Sequence, residues 1–332
     1  MSRTVGPGGD LHRTDSPTAP LDREDSRVEA ARRAEARAYE EYGLDVTEHL
    51  VDVPTLGLCI RVVEIGVGPP VVVIPGGVGY GVVWMPLLPE LDGYRLLVMD
   101  RPGGGLSDGV DYSSTSLSTI ATESTAALFD HFELDDAPIV GSSMGGLWTL
   151  RFALAHPERV SAIALLGCPA LYPETSAPFP MRLVTLPVIG KVLAAAVLQA
   201  NDADDARETW GVLGHPDETT DGHSRAFAEA WHRMDQIPHC TRSWVGLLRR
   251  AIRLRGAVPE AAFTPADLQH VRQPVLVLWG SDDPFGTIEQ GRRGAAHLPD
   301  AVFYEVGVGH LPWLDDPATC GELLCDFLDR HG

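Results

Sequence analysis

The runs VVVIPGG, RLLVMD, PIVGS, SAIALLG and PVLVLWG, followed by VFYEVG, are short and apolar on both faces. Helical patterns at Trp84–Leu91, Leu117–Phe132, Gly146–Ala155, Thr287–His297 and Thr319–Leu328 separate most of them. Strands that bury both faces need a covering layer on each side, and alternation with helices makes the sheet mainly parallel. Two earlier runs, VTEHLVDV and LCIRVVEI, read as strands joined by a turn around Pro54 to Gly57. The expected fold class is therefore α/β, an eight-stranded, mainly parallel sheet with helices on both faces.

Two intervals stand outside the alternation. About a hundred residues, from Leu171 to about Leu268, carry helical patterns with proline and glycine breaks but no strand signal. A segment that long is too large for a simple loop, so 171–268 is expected to be an inserted helical cap between core segments 46–170 and 269–332. Residues 1–45 read as a disordered polar tail to about residue 24 and then a helix over Asp25–Tyr42, with Val28, Ala31, Ala34 and Tyr39 on one face.

The net charge of −20 argues against nucleic acid as a partner, because phosphate binding needs a basic face. The longest apolar stretch, around Met181 to Ala200, is interrupted by Arg182, Pro187, Gly190 and Lys191. It falls short of the roughly 20 uninterrupted apolar residues of a membrane span. The N-terminal residues show no apolar signal region, so a cytoplasmic protein with no membrane partner is expected. Cys59, Cys168, Cys240, Cys320 and Cys325 are scattered and odd in number, a pattern of reduced thiols rather than of a disulfide frame or zinc site.

The residues that carry chemistry start with a Gly-x-Ser-x-Gly pentapeptide, Gly141-Ser142-Ser143-Met144-Gly145. A chain this rich in glycine yields such matches by chance, and a second exists at Gly105-Leu106-Ser107-Asp108-Gly109. Context separates them. Ser143 has an apolar run before it and a helical pattern after it, the strand–turn–helix setting a nucleophile elbow requires. Ser107 follows glycines and precedes a polar loop. A serine hydroxyl needs a base, and in this topology the base follows the last strand. His310, in VGVGHLPW, stands there; His297 and His331 do not. An acid that orients the imidazole should follow PVLVLWG, where Asp282 and Asp283 are both available. Backbone donors for an oxyanion are expected from Met144, directly after the serine, and from Gly77, or failing that Val78, in Pro75-Gly76-Gly77-Val78-Gly79.

These segments, with MDRPGGGLSD and LVLWGSDDPF, resemble the α/β-hydrolase superfamily over about residues 46–332, in order and at sensible distances. The resemblance implies that Asp283 is the triad acid, by its spacing from the strand-end glycine, and that Asp100, Gly103, Gly105 and Ser107 form a structural loop. It also implies acyl transfer with no metal or organic cofactor. Two departures are visible. Pro75-Gly76 stands where many relatives have His-Gly, and Gly76-Gly77-Val78-Gly79 differs from the Gly-Gly-Pro-Gly of proline iminopeptidases. Epoxide hydrolases and haloalkane dehalogenases of this fold use an aspartate nucleophile, which Ser143 excludes.

An apolar cap stripe (Leu183, Leu186, Val188, Ile189, Val192, Leu193) points to a small hydrophobic ester, lactone or related acyl substrate. Val78, Trp84, Phe285 and Leu311, which flank the motifs, are its expected contacts. Carbon–carbon bond hydrolysis or proline-type aminopeptidase action would use the same triad. A lyase or small-molecule receptor would keep the fold without hydrolysis.

Overall fold

A computed structural model describes residues 20–77, 79–186 and 202–332. Strands β1 (Val46–Val53), β2 (Leu58–Ile65), β3 (Pro70–Ile74), β4 (Arg95–Asp100), β5 (Ala137–Ser142), β6 (Val160–Leu166), β7 (Val275–Trp279) and β8 (Ala301–Glu305) form one sheet. Their order is β1-β2-β4-β3-β5-β6-β7-β8. β2 is antiparallel to both of its neighbours, and every other pair is parallel.

The absence of polar alternation in the central strands follows from this architecture. Val72 and Ile74 of β3 and Leu97 and Met99 of β4 face one apolar layer, with Ile120 and Phe129 of α2 (Leu117–His131) and Leu147 and Phe152 of α3 (Met144–Ala155). Val71, Val73, Leu96 and Val98 face the opposite layer, with Val28 and Ala31 of α1 (Ser26–Glu41). Successive side chains of a strand alternate faces, so a strand covered on both sides must be apolar at every position.

Between β6 and β7 lie α4 (Phe179–Val184), α5 (Ala203–Val212), α6 (Asp217–Gly222), α7 (Arg225–Asp235) and α8 (Cys240–Ala251). A two-stranded ribbon, Ile252–Arg253 with Gly256–Ala257, follows α8; two-residue strands are too short to leave a period in the sequence. α7 buries Phe227, Ala228, Trp231 and Met234 at helical spacing and packs against α1, whose Val28, Ala31, Ala34, Ala38 and Tyr39 are buried. α9 (Ile288–Ala295) starts at a capping box of Thr287 and Gln290, and α10 (Pro317–His331) closes the chain on the α1 side of the sheet.

One expectation needs adjustment, and two others fall largely outside the described residues. The helix expected over Trp84–Leu91 is two 3₁₀ turns, Gly81–Trp84 and Leu88–Leu91. Pro86 and Pro89 lack the amide hydrogens of a continuous helical ladder. The tail expected to about residue 24 overlaps residues that are held in place, the Leu21 N–H donating to Asp108 Oδ1 at 2.8 Å, while residues 1–19 lie outside the described residues. Of the cap stripe, Leu183 and Leu186 are half-buried, while Val188, Ile189, Val192 and Leu193 also lie outside the described residues. Among the described residues no helix is long and apolar enough to cross a membrane, and all the cysteines are unpaired.

Candidate active site

β3 lies between β4 and β5, so the chain moves off to opposite sides of it and opens a crevice at the carboxyl ends of β3 and β5. Ser143 stands in that crevice as the single residue between β5 and α3. Its backbone is left-handed, φ 50° and ψ −114°, a strained conformation for a residue with a side chain. The glycines around it make room for the turn. A Cβ on Gly145 would stand 2.0 Å from the Ile74 carbonyl oxygen, and one on Gly76 would stand 2.7 Å from the Ser143 Cβ. Met144 begins α3, so its N–H belongs to the first turn, which has no partner within the helix.

Across the crevice, the loop after β3 is held by Arg101. Its Nε donates to the Pro75 carbonyl at 2.8 Å, and its Nη2 donates to those of Gly77 at 2.7 Å and Gly76 at 3.3 Å. In a trans peptide the carbonyl and the following N–H point in opposite directions. Fixing the Gly76 carbonyl therefore turns the Gly77 N–H away from Arg101. The guanidinium is buried and lies over the Trp148 ring at 4.8 Å. Burial lowers its pKa, but from so high a starting value that it stays cationic. No local pattern marks Arg101, whose role depends on carbonyls of a distant loop.

The loops after β7 and β8 supply an acid–histidine pair. His310 Nδ1 lies 2.8 Å from Asp283 Oδ2, which also accepts the Cys168 N–H at 2.9 Å. Asp283 Oδ1 accepts the Phe285 N–H at 2.8 Å. With both carboxylate oxygens occupied as acceptors, the imidazole carries its hydrogen on Nδ1 and leaves Nε2 as a lone pair. That Nε2 is buried and has no hydrogen-bond partner among the described residues. Asp282 is exposed, and among the described residues its carboxylate meets only the Ser281 hydroxyl, at 3.5 Å. Phe285 stacks on the His310 ring at 4.1 Å.

Ser143, His310, Gly77, Met144, Phe285 and Leu311 line one pocket. Its other wall comes from the β6–β7 insertion, through Met181, Leu213, Trp231, Trp244, Leu248 and Ile252. Among the described residues, no Asp, Glu, Lys or Arg lines it. Trp84, expected to contact substrate, does not line it. Trp84 is buried against Trp313, with ring centroids 4.1 Å apart, while its neighbour Val83 lines the pocket. Adjacent residues of a 3₁₀ turn project about 120° apart. Val78, the remaining expected contact, lies outside the described residues. Trp231, Trp244 and Leu248 were not singled out from the sequence, because an apolar residue on an amphipathic helix carries no sign of whether it meets a core or a ligand. No cluster of His, Cys, Asp and Glu among the described residues would hold a metal ion.

The sequence model of the alpha/beta hydrolase fold matches residues 69–317 of the chain. The chain belongs to the α/β-hydrolase family. With serine at the elbow, it is a family member of the serine type. It is 26% identical over 246 residues to a 2-hydroxy-6-oxononadienedioate/2-hydroxy-6-oxononatrienedioate hydrolase of Paraburkholderia phymatum, spanning 72% of this chain and 77% of that protein. It is also 26% identical over 243 residues to a 2-hydroxy-6-oxo-6-phenylhexa-2,4-dienoate hydrolase of Burkholderia cepacia, spanning 71% of this chain and 77% of that one. Among solved structures, the naproxen esterase of Bacillus subtilis superposes with a TM-score of 0.69 at 18% identity, covering 91% of this hydrolase and 98% of that chain.

Proposed function

We propose that this hydrolase cleaves an uncharged carboxylic ester, lactone or related acyl bond of a small hydrophobic substrate. Ser143 attacks the carbonyl carbon as His310 Nε2 takes its proton, and Asp283 stabilises the imidazolium that forms. The N–H groups of Gly77 and Met144 receive the developing oxyanion. The protonated His310 then hands its proton to the leaving alcohol. It next deprotonates a water that releases the acid and regenerates Ser143. The helices between β6 and β7 act as a cap over this chemistry. A cytoplasmic location belongs to the same proposal and is supported by the unpaired cysteines.

The observation that carries this reading is the character of the pocket. An Nδ1-paired histidine and an elbow serine open into a cavity with no charged side chain among the described residues. The second reading, carbon–carbon bond hydrolysis, is favoured by the names of the relatives, whose dienoate and dienedioate substrates carry carboxylates. A carboxylate brought into an apolar wall without a counter-charge costs several kcal/mol. An aminopeptidase would likewise want an acidic partner for the substrate ammonium. The pocket therefore favours the neutral ester.

The test is hydrolysis of a panel of short- and medium-chain p-nitrophenyl esters beside the phenylhexadienoate and a proline amide. Intact mass after fluorophosphonate treatment is measured on wild type and Ser143→Ala. Ester turnover with one adduct on wild type and none on the variant is expected. Preference for the dienoate would transfer the assignment to carbon–carbon hydrolysis. An unlabelled wild type that turns over none of these compounds would favour a lyase or a receptor.

A further inference from the structure

The loop that carries His310 is held from two directions. From the core, its imidazole is paired with Asp283. From the insertion, the turn Leu213–His215 after α5 enters between the loops that follow β7 and β8. The His310 N–H donates to the Leu213 carbonyl at 2.8 Å, and the next amide, that of Leu311, donates to His215 Nε2 at 3.3 Å. His215 Nδ1 meets Asp315 Oδ1 at 2.9 Å, and Thr219 Oγ1 donates to the same oxygen at 2.8 Å. Asp315 Oδ2 accepts the N–H groups of Val308 and Gly309, each at 2.8 Å. The turn and the loops are shaped to each other. A Cβ on Gly309 would stand 2.5 Å from His215 Nδ1, and one on Gly214 would stand 2.7 Å from the Asp282 carbonyl oxygen.

These contacts define the state of His215. Its side chain is fully buried. Asp315 accepts only, so Nδ1 carries the hydrogen; the Leu311 amide donates only, so Nε2 carries the lone pair. Both ring nitrogens are occupied, and the ring has no atom left for proton transfer to a substrate. Burial works to raise the Asp315 carboxyl, yet the hydrogen bonds from His215, Val308 and Gly309 hold it below its ordinary value.

We infer that His215 is a positioning residue for His310, an inference that rests on the reading of His310 as general base. Asp283 orients the imidazole about its own bonds. The backbone that sets where the ring originates is tied, on both successive amides, to a turn of the insertion. Displacement of a reacting group by about 1 Å costs on the order of 10²-fold in rate. A histidine of the inserted segment therefore contributes to the geometry of the base, and the Leu213–His215 turn is a fixed point between insertion and core.

The test compares His215→Phe, which keeps a ring in the slot and loses both hydrogen bonds, with His215→Gln, whose amide offers one donor and one acceptor. Fluorophosphonate labelling rate and ester kcat and KM are measured on full-length protein, with circular dichroism as the check of folding. The Phe variant should label and turn over about 10- to 100-fold more slowly with KM within about two-fold of wild type, and Gln should recover most of the loss. A folded Phe variant that labels at the wild-type rate overturns the inference, as does a Gln variant no better than Phe. If wild type itself is not labelled, or if Phe does not fold, the ¹⁵N shifts of His215 in the intact wild type decide. A neutral ring protonated on Nδ1 at neutral pH supports the assignment, and an Nε2–H tautomer or an imidazolium overturns it. A failure of the proposed function thus remains distinct from a failure of this inference.

Discussion

Ser107 and Ser143 occupy the middle of the same pentapeptide pattern and meet opposite fates. Ser107 is fully buried and hydrogen-bonded on both sides. Its hydroxyl donates to the Asp100 carbonyl at 2.6 Å and accepts the Arg61 N–H at 2.7 Å. Around it, Asp100 Oδ2 takes the Leu106 N–H at 2.9 Å and Oδ1 takes the Gly81 N–H at 2.6 Å. The glycines of this segment let the loop fold tightly onto Asp100, and the hydroxyl is consumed as a joint between β2 and β4. Ser143 sits in a left-handed backbone and lines the pocket. A hydroxyl whose donor and acceptor capacity is spent on backbone has nothing left for a substrate. Ser143, held at a strained turn, lines the same pocket as His310, whose Nε2 has no partner among the described residues.

The largest test of this difference is the pair Ser143→Ala and Ser107→Ala. The first should lower ester kcat by about 10⁴-fold or more while leaving the fold intact. The second should leave turnover per folded molecule unchanged. It should cost roughly 1–3 kcal/mol of stability, read as a shift in denaturant midpoint, because it strands the Arg61 N–H and the Asp100 carbonyl. Equal activity losses in the two variants would erase the distinction.

Next in size is the pair of aspartates. Asp283→Asn disturbs the tautomer of His310 and should cost about 10³- to 10⁴-fold in kcat, whereas Asp282→Asn at its exposed position should stay within about three-fold. The same assay reads both. A smaller loss, about 10- to 100-fold in kcat, is expected for Arg101→Met, which frees the carbonyls of Pro75, Gly76 and Gly77 and with them the direction of the Gly77 amide. Substrate KM should change less than kcat, since the amide matters most when the oxyanion has formed.

The smallest effect lies where the two loops meet the insertion. Tyr80 follows the loop beside Ser143, packs on Gly105 in the loop of Ser107, and donates its hydroxyl to Asp235 of α7 at 2.9 Å. Burial pushes the Asp235 carboxyl up to about 7, against the hydrogen bond from Tyr80, which works to lower it. The fold then holds this proton more tightly than the unfolded chain, where an aspartate titrates near ~3.9. Stability from this group is full below the unfolded value and is lost as pH rises from there to about 7. Asp235→Asn keeps an acceptor for Tyr80 and removes the titration. Relative to wild type, its melting temperature should be higher at pH 8 than at pH 5, and a difference that does not change with pH would refute the assignment.

Much of the architecture is written locally. The sheet is legible because burial on both faces demands apolar residues through most of β3 to β7, and because glycines and prolines punctuate the strand ends. Ser143 stands out by its flanks, and His310 by its place after the last strand, both of which a linear reading supplies. The helix expected at Trp84 gave way to 3₁₀ turns although Pro86 and Pro89 were in plain view, and with it went the orientation of Trp84.

Other features are absent from any local pattern. Asp282 and Asp283 are the same residue type side by side, and only the closure of the β7 loop on Cys168 and His310 separates the buried one from the exposed one. Arg101 is one arginine among many until the carbonyls of Pro75 to Gly77 converge on it, and His215 is one histidine of twelve until Leu311 and Asp315 close on its two nitrogens. Sequence determines which elements form, because propensity and burial pattern act over a few residues. The partners of each polar group were decided by tertiary structure, because a hydrogen bond is made over about 3 Å of space whatever the separation along the chain.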